Sequence, residues 1–542
     1  MKKLLSILLA TLMIVASFSF VTFAEGEEEV DPNLITPDKS WYSATGTTFE
    51  ISNAAQFLGI GVLLTEGVTF DNQTIKLTAN IDLNPGWSAD DYMKNYTDGD
   101  DFTLAIAPSN VWAVKRIDKG VGNGQVPTGG SVNDVTIFFK GTLDGQNHYV
   151  TGLYGQYVGG NDHSFFGAGG RDADDCTTFK DIAFLNSVLN RTVTGSRGAC
   201  ILSAGGTNTI FSNVYVDVDA LIGRQQALDS TDGFAGIVGW LGDAKPDEAA
   251  NARYGTANGT ITMTDCVYAG TLYSTAAYSE SNNKGGYGQM GILGVIDVAT
   301  QSATFEDILS IGTHDTIGRV NGIFSKNKGS ITMNAVVSAA TSVQDSYALS
   351  AFLYDMRTTG SLTGTGLVYR KAATDRAYDF IDFKVTDEVA ADDPSTPDVN
   401  EQKLYTGNRI TATEMTDDEI KTINTVAAGK QVAGYSDWTS VVNGYAMPIS
   451  TALAAAINSY IAPEGDNSGN VTPPAADEGE DAGDETTAPE TTETKAPETT
   501  KAAKDTEPAE KKGCGSIIGT GAIAIVAVTG AALAIGKKKK ED

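Results

Sequence analysis

Histidine and cysteine are close to absent from this 542-residue chain, which carries three histidines (His148, His163 and His314) and four cysteines (Cys176, Cys200, Cys266 and Cys514). So few histidines leave little material for a Ser-His-Asp or Cys-His site, and neither an HExxH nor a CxxC pair is present to hold zinc. All three histidines are read as structural. The cysteine count excludes a dense disulfide framework. Cys266 falls in the slot that Ile182 and Val214 fill in sister segments and is read as a small core residue, with a Cys176–Cys200 bridge as the alternative. Basic residues are also scarce, 38 against 68 acidic, for a net charge of -30. That charge repels nucleic acid and anionic membranes, so no nucleic-acid partner is expected. Aromatics make up 8% of the chain and glycines number 59, a balance that suits tight corners between short strands better than helix bundles.

Long apolar runs occur only near the two ends. Lys2 and Lys3 precede LLSILLATLMIVASFSF, and Ala24 precedes the acidic Glu25 and Glu27 to Glu29, which predicts a signal peptide over 1–24. Ser516 to Gly536 is uncharged, and about 20 residues at about 1.5 Å each cover a hydrocarbon core of roughly 30 Å. A transmembrane helix is expected over 513–536. Lys537 to Lys540 follow, so the positive-inside rule assigns the tail, 537–542, to the cytoplasm. The body is then extracellular on a single-pass cell-membrane protein. Residues 463–512, with TTAPETTETKAPETTKAAKDTEPAEKK, have almost no large apolar side chain and are expected to form a disordered, self-repelling stalk. No LPxTG-type motif precedes the apolar run, so wall attachment is not expected.

Between a leader, 25–48, and this stalk the chain repeats itself. FKDIAFLNS, FSNVYVDVD, MTDCVYAGT, FEDILSIGT, MNAVVSAAT and LTGTGLVYR begin at Phe179, Phe211, Met263, Phe305, Met333 and Leu362, with spacings of 32, 52, 42, 28 and 29 residues. The shortest spacings set the period, and the longer ones hold polar insertions that leave the flanking pattern intact. A Gly-bounded apolar strand precedes each unit, as in SFFGAG, FAGIVGW, QMGILGV, VNGIFS and LSAFLYD. Short strands about 30 residues apart, with no helical periodicity between them, predict an all-β fold: a right-handed parallel β-helix, or solenoid, over 49–380. Ahead of it, Ser52 or Asn53 can cap a short helix with Ala54, Phe57, Leu58, Leu63 and Leu64 on its apolar face, placed to be an N-terminal lid. Thr74 to Leu83 reads as one half-buried strand, Asp90 to Asp134 as irregular, and Thr136 to Tyr154 as strand with a turn at Asp144-Gly145. Over 381–462 a closing segment is expected, with TATEMTDDEIKTINTVAAG as a helix capped by Thr413 or Thr416 and SDWTSVVNGYAMPI as a strand pair.

The segments TFEISNAAQF, TFDNQTIKLTANIDL, KGTLDGQNHYVTGLYG, FAGIVGW and GTITMTDCVYAGTL resemble the GLUG-repeat and pectin-lyase-like β-helix regions of bacterial surface proteins. The resemblance covers about Phe49 to Arg370 and is looser in the later units, where Asp265 and Ala335 replace an Asn. It implies a fold and a surface location and transfers no catalytic residues.

Two acidic groups, Asp98, Asp100 and Asp101, and Asp172, Asp174 and Asp175, are the candidate oxygen ligands for calcium, although neither has the spacing of a known calcium loop. Lyase chemistry would pair the second group with Lys180, Arg191 or Arg197, and no motif selects them. No other cofactor is expected. The expected function is a membrane-anchored extracellular surface protein that binds a glycan or cell-surface ligand, an adhesin without catalysis. The alternative is a surface polysaccharide lyase or glycoside hydrolase.

Overall fold

A computed structural model describes residues 31–98, 106–112, 117–118, 134–135, 138–157, 162–170, 174–191, 197–222, 233–241, 259–274, 288–296, 298–315, 319–343, 348–357, 360–371, 384–386, 410–425 and 432–461. The expected signal peptide, stalk, membrane helix and tail lie outside the described residues, as do Asp100, Asp101 and Asp172. Among the described residues no helix is long and apolar enough to cross a membrane.

Apart from two antiparallel pairs, the strands form parallel sheets in which each strand pairs with the equivalent strand one repeat away. The main sheet, of sixteen strands, is joined by two six-stranded sheets, and few helices accompany them. This arrangement is compatible with a parallel β-helix. In the main sheet, alternate residues point inward and stack in register. Phe49, Ile75, Leu143, Phe179, Phe211, Met263, Phe305, Met333 and Gly364 make one such column. Five of the six expected anchors fall in it. The sixth is shifted by two: Leu362 pairs with Ile331, and Gly364 takes the place opposite Met333. A second column, Ile182, Val214, Cys266, Ile308 and Val336, runs beside it. Cys266 is therefore the buried core residue expected, and Cys200 is a free buried thiol, so the Cys176–Cys200 bridge does not form.

Between the two columns each rung from Thr142–Thr151 onward turns a corner on a left-handed residue, the first of them on two, Gln146 and Asn147. Asn147, Asp181, Asn213, Asp265, Asp307, Ala335 and Gly366 all have φ between 51° and 65°. Asn and Asp enter this conformation more readily than other residues with a side chain, and Gly does so freely. The Asn-to-Asp departure at 265 therefore keeps a residue suited to the corner, and Ala335 holds the same φ of 51° with the strain that other side chains meet there. The turn expected at Asp144-Gly145 is the same corner, inside the continuous parallel strand Thr142–Thr151 rather than in a hairpin.

Each Gly-bounded apolar segment is split between the two smaller sheets by a bend. Gly233–Ala235 and Val238–Leu241 are separated at Gly236, and Gly288–Met290 and Leu293–Ile296 at Gly291. The bends stack so closely that a Cβ on Gly236 would lie 2.2 Å from the Gly291 carbonyl oxygen, and one on Gly291 2.1 Å from that of Gly322. The chain passes here only because no side chain is present.

Helix α1 (Ala54–Thr65) forms where expected, with Asn53 accepting from the Gln56 amide at 3.0 Å. It sends Phe57, Leu58, Ile60, Leu63 and Leu64 into the apolar core of the first rungs. Trp112, from the stretch read as irregular, packs on Phe57 and donates its indole N–H to the Phe165 carbonyl at 2.6 Å. That stretch also contains helix α2 (Ala89–Asp98), and the expected strand Thr74 to Leu83 divides into Thr74–Leu77 and Ile81–Asp82.

The closing segment begins as a strand. Ala412–Met415 pairs with Leu367–Arg370, and only then does Thr416 cap the short helix α3 (Asp417–Lys421) through a reciprocal box with Glu419. The expected strand pair is Ser440–Val442 with Tyr445–Met447, and helix α4 (Thr451–Ile461) follows. The segment runs back along the flank of the stack. Tyr435 donates to the Gly366 carbonyl, the Trp438 indole donates to Asp307 at 2.8 Å, and Ser450 reaches Asn213 and Asn147. Tyr460 ends against Tyr149, ring centres 5.4 Å apart.

Candidate functional site

The outer surface of the main sheet is as regular as its interior. One outward column reads Thr48, Thr74, Thr142, Thr178, Ile210, Thr262, Thr304, Thr332 and Thr363. Threonine suits this position because its branched side chain fits the pleat while its hydroxyl faces water. In the last five rungs the columns on either side, Asn208 to Ser361 and Ser212 to Thr365, extend the same chemistry. Every outward position there is a hydroxyl or amide residue except Ile210 and Glu306. Burial alternates strictly along Ser330–Asn334, which leaves the outward residues at least partly open. Side chains also bond from rung to rung: Thr332 with Thr363 at 3.3 Å, Ser361 to Ser330 at 3.2 Å and Thr365 to Asn334 at 2.9 Å. The first four rungs differ, since Glu50, Lys76, Asp144 and Lys180 succeed one another there and Lys180 pairs with Asp144 at 2.9 Å.

The acidic residues singled out in the sequence are dispersed by comparison. Asp98 is the last residue of α2. Asp174 is exposed, while Asp175 is buried and paired with Lys140 at 2.9 Å. Lys180 is occupied by Asp144, Arg191 lies at the end of Thr177–Arg191 and Arg197 starts a strand of another sheet. Among the described residues no group of three or more His, Cys, Asp or Glu side chains could hold a metal ion.

A different acidic group was missed. Asp217 and Asp219 lie on Asn208–Ile222, beside Asp90 of α2. Burial, then the charge of Asp90, pushes Asp217 up to about 6. Burial, then Asp217, pushes Asp219 up to about 8, although its carboxylate accepts from the Thr271 amide at 2.6 Å. Trp87, Tyr92 and Tyr154 pack edge to face nearby, and Asn190 donates to the Tyr92 hydroxyl at 2.6 Å. Only the D-V-D spacing in the sequence hinted at this pair, and 68 acidic residues hid it. His148 bonds Asn80 at 3.1 Å, and His314 is fully buried in line with Leu272 and Ser342.

Comparison with known proteins returns no family match, no similar curated protein and no similar solved structure.

Proposed function

We propose that this chain is a membrane-anchored bacterial surface protein whose body, a right-handed parallel β-helix of the GLUG-repeat and pectin-lyase-like kind, binds an extracellular glycan or cell-surface ligand without catalysis. The observation that carries it is the outer face of the main sheet, where over the last five rungs the same small polar side chains recur rung after rung. There the outward side chains repeat rather than converge on one point, which serves extended contact better than chemistry. The sequence features at the two ends support display outside the cell. The test is a glycan and cell-binding panel with the soluble body, residues 25–462, with and without calcium. Binding to at least one surface ligand is expected, and a body that binds nothing rules the function out.

A second reading, a surface glycoside hydrolase, is favoured only by Asp217 and Asp219. Two carboxylates with differently raised proton affinities are what an acid and base pair requires. Release of reducing sugar from neutral or uronate glycans, abolished in Asp219→Asn, would establish it.

A further inference from the structure

We infer that the hydroxyl face of the last five rungs is a docking surface for an extended, uncharged polysaccharide lying across the strands. This rests on the surface-binding function proposed above and adds the ligand class and the place where it binds.

Charge is the first argument. The chain has a net charge of -30, yet the three outward columns from Asn208 to Thr365 carry a single charged side chain, Glu306, with Asp265 and Asp307 at the corner beside it. A polyanion would be repelled by the molecule as a whole and would find no cation on this face. A polycation would be drawn to the acidic surfaces elsewhere. An uncharged, hydroxyl-bearing polymer loses nothing to either effect.

Geometry is the second. Successive rungs are about 4.8 Å apart, and alternate residues along a strand about 6.7 Å. Thr262, Thr304, Thr332 and Thr363 therefore present donors and acceptors at a fixed interval. A linear polymer with its own repeat can engage several rungs in the same way. Each neutral hydrogen bond contributes little, so binding strength comes from the number of rungs engaged at once. The bonds between Thr332 and Thr363, and between Ser330 and Ser361, hold these hydroxyls in place before binding, which lowers the cost of ordering them.

The experiment uses the full chain in detergent and measures its depletion by insoluble cellulose, chitin, xylan and mannan, with polygalacturonate as the anionic control. Binding to at least one neutral polymer is expected, unchanged between low salt and about 0.5 M salt. The double variant Thr262→Lys with Thr332→Lys should lose at least about tenfold in affinity. Thr262→Ser with Thr332→Ser should keep it, and Asp418→Asn, exposed on the closing segment away from this face, should not change it. Circular dichroism checks that every variant folds. Binding to polygalacturonate alone, neutral-glycan binding that survives both lysines, or shaping of ice crystals without glycan binding would each overturn the inference. If the chain binds cells or proteins but no neutral glycan, the inference falls and the surface-binding function stands. If it binds nothing, both fall.

Discussion

At the scale of single residues, the inward columns set stability most directly. Val214 and Ile308 are fully buried, each between apolar neighbours one rung away on either side. Replacing either by Asp puts an unpaired charge in the core and should cost more than about 4 kcal/mol. Loss of the strand signal in circular dichroism is the expected outcome, and a fully folded variant would refute the stacked core. Titration gives a second prediction. Asp217, Asp219 and Asp265 have proton affinities raised to about 6, 8 and 7, all chiefly by burial. The folded state therefore binds protons that the unfolded chain releases above about pH 4, and stability should rise as pH falls from 8. His314 acts in the opposite sense, because burial lowers it to about 3 and the unfolded chain takes up its proton below about 6.5. Three carboxylates outweigh one imidazole, so the melting temperature should climb from pH 8 to about 5, most steeply between about 5 and 6.5, where all three carboxylates hold protons that the unfolded chain has released. Asp219→Asn should flatten that climb, and an unchanged profile would remove Asp219 as its main source.

At the scale of elements, corners matter as much as strands. The Asn213 side chain donates to Asp181 at 2.8 Å and accepts from the Ser450 amide at 2.8 Å, so it ties two rungs to the closing segment. Asn213→Gly keeps the left-handed corner without strain and removes these bonds, whereas Asn213→Ala removes the bonds and leaves a strained corner of the kind that Ala335 holds. The Gly variant should lose about 1–3 kcal/mol and the Ala variant about 1 kcal/mol more, measured by chemical denaturation. Gly291→Ala should be far more damaging than an ordinary strand substitution, because the new methyl meets the Gly322 backbone. Ala351, at the equivalent bend two rungs after Gly291, packs without difficulty, so Ala351→Gly should cost less than about 1 kcal/mol.

At the scale of the whole molecule, the closing segment covers a third column that the repeat pattern did not isolate. Tyr149, Ala183, Tyr215, Val267, Leu309, Val337 and Val368 stack in register on the outer side of the corner. Tyr435, Trp438, Leu453 and Ile457 lie over them in one apolar cluster. Deleting residues 432–461 should expose that column and make the body associate or aggregate, read by light scattering. A monodisperse, equally stable truncated body would show that the segment is dispensable.

The rung period, the inward column from Phe179 to Met333, the place of Cys266 and the cap at Asn53 were all legible in the sequence. Each depends on neighbours along the chain or on a pattern that recurs at fixed spacing. The outward threonine column was present in the same segments but unreadable, since a hydroxyl at an outward strand position gains meaning only when its partners one rung away are known. Insertions of different length between the rungs concealed that register, and it also moved the last anchor from Leu362 to Gly364. The run of consecutive apolar residues in Val214-Tyr215-Val216 broke the alternation expected of a half-exposed strand. Only the tertiary structure explained it, by laying Trp438 and its neighbours, distant in sequence, across the outer side. The meeting of Asp217 and Asp219 with Asp90 was likewise decided by folding. Local chain chemistry determines rungs and corners, whereas contacts between distant segments depend on which surfaces the stacked rungs leave uncovered.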